Sequence, residues 1–364
     1  MLNPEFATKF GRLVQKTRRP TNGLMNLFPL EPDGIFSGEV VEYDITKSLE
    51  AMALPVRRGG PPRINTADRF ITREFRPPYY SEERPFNIAD FAARGAGMTK
   101  YDAGDMNKTQ ALMLKIATDF GRMQDKIDRG IEWQAAEILQ KGKIQFSVFA
   151  AVLGDSVQDL DFEMSADLFP QAVASWAGAS DKFADLAALA NKIREKGLVD
   201  PDNIIFGKAA FRYFMGDDDV RAELDNRRVE KGMIEPSPIA GNGMKRLGRF
   251  IIDEYEYTLW LYTGKYNDPV TGNLVPYIND NNVVMFASAA DRRRYHAGVD
   301  VVVQAEAEIM SLLPGRVTTI ATRQAMDFMP TARTEGKSTI IGIDSAPLLV
   351  PTNNGGHGCL EAIF

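Results

Sequence analysis

The sequence predicts an α+β protein, on three observations. One apolar stripe at helical spacing runs unbroken from 107 to 141. Two limbs with strand alternation flank a glycine–proline turn within 36–80. From 180 onward, short strands and short helices are mixed.

Residues 1–20 carry Lys9, Arg12, Lys16, Arg18 and Arg19 against one acid, Glu5, a local charge of +4. Phe6, Phe10, Leu13 and Val14 are scattered among them, and Pro20, Gly23, Pro29, Pro32 and Gly34 follow. This composition reads as an arm, residues 1–35, laid on something rather than opening a core.

In 36–80, Val41, Tyr43 and Ile45 alternate with Glu42, Asp44 and Thr46, and a second limb runs from Ile64 to Phe75. Arg57-Arg58-Gly59-Gly60-Pro61-Pro62 is the turn between them. The limbs are oppositely charged. Residues 31–50 hold six acids and one base, Lys47; residues 57–76 hold six arginines, at 57, 58, 63, 69, 73 and 76, against Asp68 and Glu74. A lone hairpin of this length is at best marginally stable in water, so it must pack on its own domain or on a neighbouring chain.

Between 107 and 141, Leu112, Ile116, Phe120, Met123, Ile127, Ile131, Ala135 and Ile138 recur at steps of three and four. Asn107 with Gln110 resembles a capping box, and Gly142 is a C-terminal stop. At 1.5 Å per residue the rod is about 52 Å long, whereas a chain of this length packed as one globule has a radius of gyration of only about 21 Å. Gly121 and Gly130 are the expected places for bends.

Residues 143–178 look extended, with a turn at Gly154-Asp155-Ser156. A helix is expected from Asp181 to Lys196, a strand at Ile204–Phe206, and a helix bearing Phe211, Tyr213 and Phe214. Phe250–Tyr262 reads as one strand, Asn267–Gly272 as a hairpin turn, and Asn282–Ala287 as a strand. Val299–Val303, Val317–Ile320 and Ile340–Ile343 complete the list of expected strands.

The chain has 364 residues, 44% hydrophobic and 25% charged, with net charge −6, two histidines and one cysteine. Cys359 has no partner for an internal disulfide, which excludes a disulfide scaffold and fits a reducing compartment. No secretion signal is expected, and the longest nearly apolar stretch, Ile144 to Leu153, is too short to span a bilayer. Net acidity argues against binding nucleic acid through global charge.

Catalytic motifs are weak. Glu335-Gly336-Lys337-Ser338 lacks the first glycine of a phosphate-binding loop, whose place is taken by Thr331. Gly95-Ala96-Gly97 does not complete a dinucleotide fingerprint. Asp217-Asp218-Asp219 offers a cation or acid/base site, but acids at a helix start explain it better. His296 and His357 have no second ligand at metal spacing, and read as structural or exposed. No catalytic residue, cofactor site or metal site is expected.

Several strings, in order, carry a resemblance: Arg18-Arg19-Pro20 with Gly23-Leu24, Arg57-Arg58-Gly59-Gly60, Glu137-Ile-Leu-Gln-Lys-Gly142, Pro201-Asp-Asn-Ile-Ile-Phe-Gly207, Tyr262-Thr-Gly-Lys-Tyr266, Val275-Pro-Tyr-Ile278 and Ser345-Ala-Pro-Leu-Leu-Val-Pro351. In these the chain resembles the lambda-type major capsid proteins of tailed bacteriophages, the major capsid protein E family, over essentially its whole length.

The resemblance implies the tailed-phage major capsid fold. Its parts would be an arm (1–35), an extended β-hairpin loop (36–80), a peripheral domain (81–178, completed near 300–335) with a spine helix at 107–141, and an axial domain (179–300, completed by 336–364). It implies a structural role in hexamers and pentamers of an icosahedral head enclosing double-stranded DNA. Assembly would start as a procapsid in the host cytoplasm, with a scaffolding protein, a portal and a decoration protein as partners and no membrane. Arg18, Arg19, Glu42, Asp44, Arg57, Arg58, Arg63, Arg69 and Arg73 are then the candidate inter-subunit contacts. Some relatives form lysine–asparagine cross-links, but no motif gives Lys47 that role, so non-covalent assembly is expected. An encapsulin-like compartment shell of the same fold and a carboxylate-dependent cytosolic enzyme are the alternatives.

Overall fold

The structure, a computed structural model, describes residues 23–47, 69–86, 108–149, 158–178, 180–224, 232–237, 243–304, 319–335 and 338–364. A 3-10 turn at Met25–Leu27 leads into strand β1 (Leu30–Ile35). Strands β2 (Val41–Lys47) and β3 (Arg69–Phe75) form an antiparallel ladder from Val41↔Phe75 to Lys47↔Arg69, and β4 (Tyr80–Phe86) follows. The long helix α1 spans Lys108–Lys141, 34 residues.

The helical stripe reads through: Ile116, Phe120, Met123, Ile127, Ile131, Ala135 and Ile138 are all buried. Gly142 ends the helix with φ of +66° while its N–H donates to Ile138 O at 2.8 Å. Gly130 has a packing reason, since a Cβ there would lie 2.8 Å from the Tyr80 ring. Near its C-terminal end α1 is buried on every side, and Gln124, Asp128, Glu132 and Gln134 are buried with the apolar residues.

After α1 the expectation of extended chain is only partly met. Strand β5 (Lys143–Ile144) pairs with β6 (Leu160–Asp161), but Phe146–Phe149 is a 3-10 helix. Phe146 and Phe149 there pack against Trp133, at 5.9 and 4.8 Å between ring centres. Residues 150–157, with the expected turn, lie outside the described residues.

Helix α2 (Lys182–Gly197) starts where Asp181 accepts the Ala184 N–H at 2.9 Å, and Leu198, left-handed, closes it. Strand β7 (Asn203–Phe206), helix α3 (Lys208–Gly216), helix α4 (Asp218–Leu224) and strand β8 (Gly232–Ser237) come next. The single strand expected at Phe250–Tyr262 is instead a hairpin of β9 (Met244–Ile252) and β10 (Tyr255–Tyr262). Its two-residue turn, Asp253-Glu254, has φ of +47° and +70°. Such turns usually carry Asn-Gly or Asp-Gly, and Glu gave no signal.

The Asn267–Gly272 turn does join two strands, β11 (Lys265–Asn267) and β12 (Leu274–Pro276). Then come β13 (Asn282–Phe286), β14 (Arg292–His296), β15 (Val299–Gln304), β16 (Thr319–Gln324), β17 (Met329–Glu335), β18 (Ser338–Ser345), β19 (Pro347–Pro351) and β20 (His357–Glu361).

Six strands form the largest sheet, in the order β20-β13-β7-β10-β9-β8. Within it β7 and β13 carry the apolar runs Ile204–Phe206 and Val283–Phe286, because both faces are covered there. Ile205, Val284 and Cys359 join the cluster around α1, while Ile204, Phe206, Val283, Met285 and Leu360 join a second cluster under α2 and α3. Smaller sheets are β1-β14-β19 and β17-β18-β4. Thus 338–345 associates with 80–86 and 329–335, whereas 357–361 enters the six-stranded sheet.

The last part of the expected arm does enter a core. Leu24 and Phe28 are fully buried in the cluster around α1. Residues 1–22 lie outside the described residues.

Candidate subunit-contact surfaces

The hairpin stem sorts its residues by face. Val41, Tyr43 and Ile45 turn inward and are buried; Phe75 stacks on Phe146 at 6.5 Å and Tyr43 meets Phe162 edge-on at 6.3 Å. The stem therefore packs on its own chain. Burial raises the Tyr43 pKa.

Of the candidate contact residues, Glu42 and Asp44 are exposed on the outer face. Thr72 Oγ1 donates to Asp44 Oδ1 at 2.7 Å, and Glu42 stands opposite Glu74 in the ladder. Arg73 pairs within the chain, Nη2 to Glu163 Oε2 at 2.6 Å, and this bond is the main reason its pKa is raised. The backbone of Arg69 closes the described ladder opposite Lys47. Arg18, Arg19, Arg57, Arg58 and Arg63 lie outside the described residues.

The root of the hairpin is held by paired charges. Arg76 lies 3.3 Å from Glu39, Glu39 also pairs with Arg323, and Arg323 donates to Asp300 at 2.7 Å. Both limbs are thereby tied to the β15–β16 hairpin. Gly298 N–H donates to Gly38 O at 2.7 Å, an approach with no room for a side chain at 298. Glu39 and Arg76 come from the two oppositely charged limbs read in the sequence, whereas Asp300 and Arg323 are remote in sequence, so no local pattern could flag their part.

A groove of about 350 Å³ runs beside the stem, lined by β1, β2 and β14. Asp33, Glu42 and Asp44 supply acidic groups, and Phe36 and Tyr295 supply rings 5.8 Å apart. Arg293 in the same lining is engaged by Asp291 at 3.0 Å and Glu31 at 3.4 Å.

The root of the arm is anchored by Glu132, deep in α1. Glu132 accepts the Leu24 N–H at 2.9 Å, the Met25 N–H at 2.7 Å and the Tyr262 hydroxyl at 2.6 Å. Burial raises its pKa, and these donors oppose that shift. The available signal was Asp128 and Glu132, four apart beside the apolar stripe.

The groups weighed for chemistry each have partners within the fold. His357 Nε2 lies 3.1 Å from Ile138 O and His296 Nδ1 lies 3.3 Å from the Ser345 hydroxyl; both rings are buried. Burial, then a nearby arginine, lowers their pKa values to about 3 and about 4 respectively. Burial pushes the Cys359 thiol up to about 12.

Asp217 pairs with the buried Lys182 and accepts the Asp219 N–H at 3.0 Å, so it caps α4 and ties it to α2. Burial opposes this, but the lysine holds its pKa below the ordinary value. Glu335 and Ser338 close the β17–β18 ladder, opposite each other across two residues. Among the described residues no three His, Cys, Asp or Glu side chains gather as metal ligands, and no helix is long and apolar enough to cross a membrane.

The sequence model of the family described as phage major capsid protein E matches residues 11–353. No curated protein sequence matches the chain. Among solved structures, one described as the capsid protein of an E. coli CFT073 prophage is 15% identical, with 99% of each chain covered and a TM-score of 0.63. A phage-related protein from Bordetella bronchiseptica RB50 is 12% identical over 100% of this chain and 97% of that one, with a TM-score of 0.46. The virus-like particle protein of Pyrococcus furiosus is 11% identical over 98% of each, with a TM-score of 0.40. The first likeness shows the tailed-phage capsid fold end to end. Matched over nearly its whole length, the chain belongs to the phage major capsid protein E family and is a structural subunit of a phage capsid.

Proposed function

We propose that the subunit assembles non-covalently into hexamers and pentamers of an icosahedral head around double-stranded DNA. Assembly proceeds through a procapsid in the host cytoplasm, with scaffolding and portal proteins as partners and a decoration protein added to the shell. The observation that carries this is the family match over 11–353. The stem geometry supports it: the hairpin is fixed at its root to its own subunit, and among the described residues Glu42, Asp44 and Glu74 are exposed on its outer face.

In this reading residues 36–80 reach onto an adjacent subunit. The peripheral domain comprises 81–178 with a segment near 300–335 and, on the pairing of β18 with β4, also 338–345. The axial domain comprises 179–300 with the rest of the C-terminal stretch, since β20 extends its sheet. No catalytic step is assigned. The family match favours this reading over a cargo-holding compartment or a carboxylate-dependent enzyme.

Deleting residues 50–65 tests it. The shortened subunit is expected to keep the far-UV circular dichroism of a folded chain and to sediment only as small species, while the full chain with its scaffolding protein gives megadalton particles. Equal particle yields from both would contradict the role of the loop.

A further inference from the structure

The turn between β13 and β14 is laced to the segment that leads into β20. Ala287 N–H donates to Gly356 O at 3.0 Å, and Asn353 N–H donates to Asp291 O at 3.2 Å. Around this lacing lie three buried polar atoms with no hydrogen-bond partner among the described residues: Arg292 Nε, His357 Nδ1 and Asn354 Oδ1. Arg292 is only 5% exposed and His357 not at all. His357 stands opposite Phe286 in the β13–β20 ladder, and opposite residues share a face of the sheet. The Arg292 guanidinium lies over that same Phe286 ring, 5.1 Å from its centre. Imidazole and guanidinium are therefore neighbours, and the arginine charge helps burial to keep the ring neutral.

What each orphan atom can do is fixed by the other end of its group. A carbonyl only accepts, so His357 Nε2, 3.1 Å from Ile138 O, carries the ring proton and Nδ1 is a lone pair. Phe162 O also only accepts, so the Asn354 atom 2.6 Å from it is the amide nitrogen, and Oδ1 is an acceptor. Arg292 Nη2 donates to Ala287 O at 2.5 Å, and its Nε–H remains as a donor. The nearest acids are engaged elsewhere: Asp202 accepts from Ser288 N–H at 2.7 Å, and Asp291 pairs with Arg293. The set is one donor and two acceptors.

We propose that one resident water molecule occupies this junction, accepting from Arg292 Nε–H and donating to His357 Nδ1 and Asn354 Oδ1. A water accepting one hydrogen bond and donating two makes three, the usual number for a buried water. An anion would face two lone pairs, and a cation would face the guanidinium charge. Left unpaired, each buried group would carry its full desolvation cost. The water ties the last turn of α1, through His357 and Ile138, to β14 and to the loop before β20. No second subunit is needed, so the site stands or falls apart from assembly.

The test uses the full chain, whose only histidines are His296 and His357. Long-range proton–nitrogen correlation spectra of the histidine-labelled subunit, assigned with a His296→Gln variant, report on each ring nitrogen. His357 should be protonated at Nε2 alone from about pH 8 to about pH 5, with Nδ1 shifted as a hydrogen-bonded acceptor. In a crystal structure that resolves solvent, one peak should lie within about 3.2 Å of all three atoms. After exchange into bromide that peak should give no anomalous signal. A proton on Nδ1, a bromide signal in the site, a peak out of reach of any of the three atoms, or a direct Arg292 Nε to His357 Nδ1 bond with no peak would each overturn the proposal.

Discussion

The Tyr262 hydroxyl donates to Glu132 Oε1 at 2.6 Å, joining the C-terminal half of the long helix to the six-stranded sheet. The same carboxylate receives two backbone N–H groups from the arm root, so one buried acid holds three parts of the subunit together. All its partners are donors. Glu132→Gln would turn an amide N–H toward one of them, and Glu132→Leu would leave all three unpaired.

Either substitution should therefore lower unfolding free energy by about 1–3 kcal/mol. Tyr262→Phe, which removes one donor, should cost about 1–2 kcal/mol. Urea unfolding of unassembled subunit measures both. Hydrogen exchange of residues 23–28 should accelerate in the Glu132 variants and stay near the parent rate in Tyr262→Phe.

Acid should destabilise the subunit through its histidines. In the unfolded chain they titrate near the ordinary 6.5, whereas in the fold His296 and His357 are held down to about 4 and about 3. From pH 6.5 downward the unfolded chain binds the protons, so stability present above 6.5 is lost as pH falls toward those folded values, by up to about 1.4 kcal/mol per pH unit for each histidine. Glu132 works the other way. Its raised pKa means that stability falls as pH rises from the ordinary carboxylate value to its own. Between pH 7 and 5 the histidines should dominate: the urea midpoint should drop, and drop less in a His296→Gln variant.

Asp217 and Lys182 should behave unequally. Asp217→Asn leaves a buried ammonium without a counter-charge and should cost about 3 kcal/mol. Lys182→Met removes the cation and keeps the packing, while Asp217 still caps α4, so it should cost less. Equal losses in urea unfolding would contradict this account of the pair.

Glu254 should be improvable. Its φ of +70° is left-handed, a region that costs a non-glycine residue about 1 kcal/mol. Glu254→Gly gives the turn the Asp-Gly pair it favours. The unfolding midpoint should rise, with a net gain of about 0.5 kcal/mol once glycine's greater unfolded-state freedom is counted.

The long helix and the hairpin stem were legible because each is governed by one period: 3.6 from Ile116 to Ile138, and two from Val41 to Ile45. What escaped lacked a local signal. β14 reads Arg-Arg-Arg-Tyr-His, an exposed-looking string, yet Arg292 is buried and donates to the Ala287 carbonyl. Gly355 and Gly356 let the backbone press against Gly197 and Ala290 before β20 enters the sheet, neighbours that no local pattern brings together. The groove and the root clamp bring residues 31–44 against residues beyond 290, and only the fold makes those neighbours.

The central claim, that this chain is a shell subunit, is tested most directly by negative-stain electron microscopy of the full-length protein produced with its scaffolding protein. Closed shells of uniform diameter, built of pentameric and hexameric clusters, are the expected result. Only small soluble oligomers under every assembly condition would contradict the account.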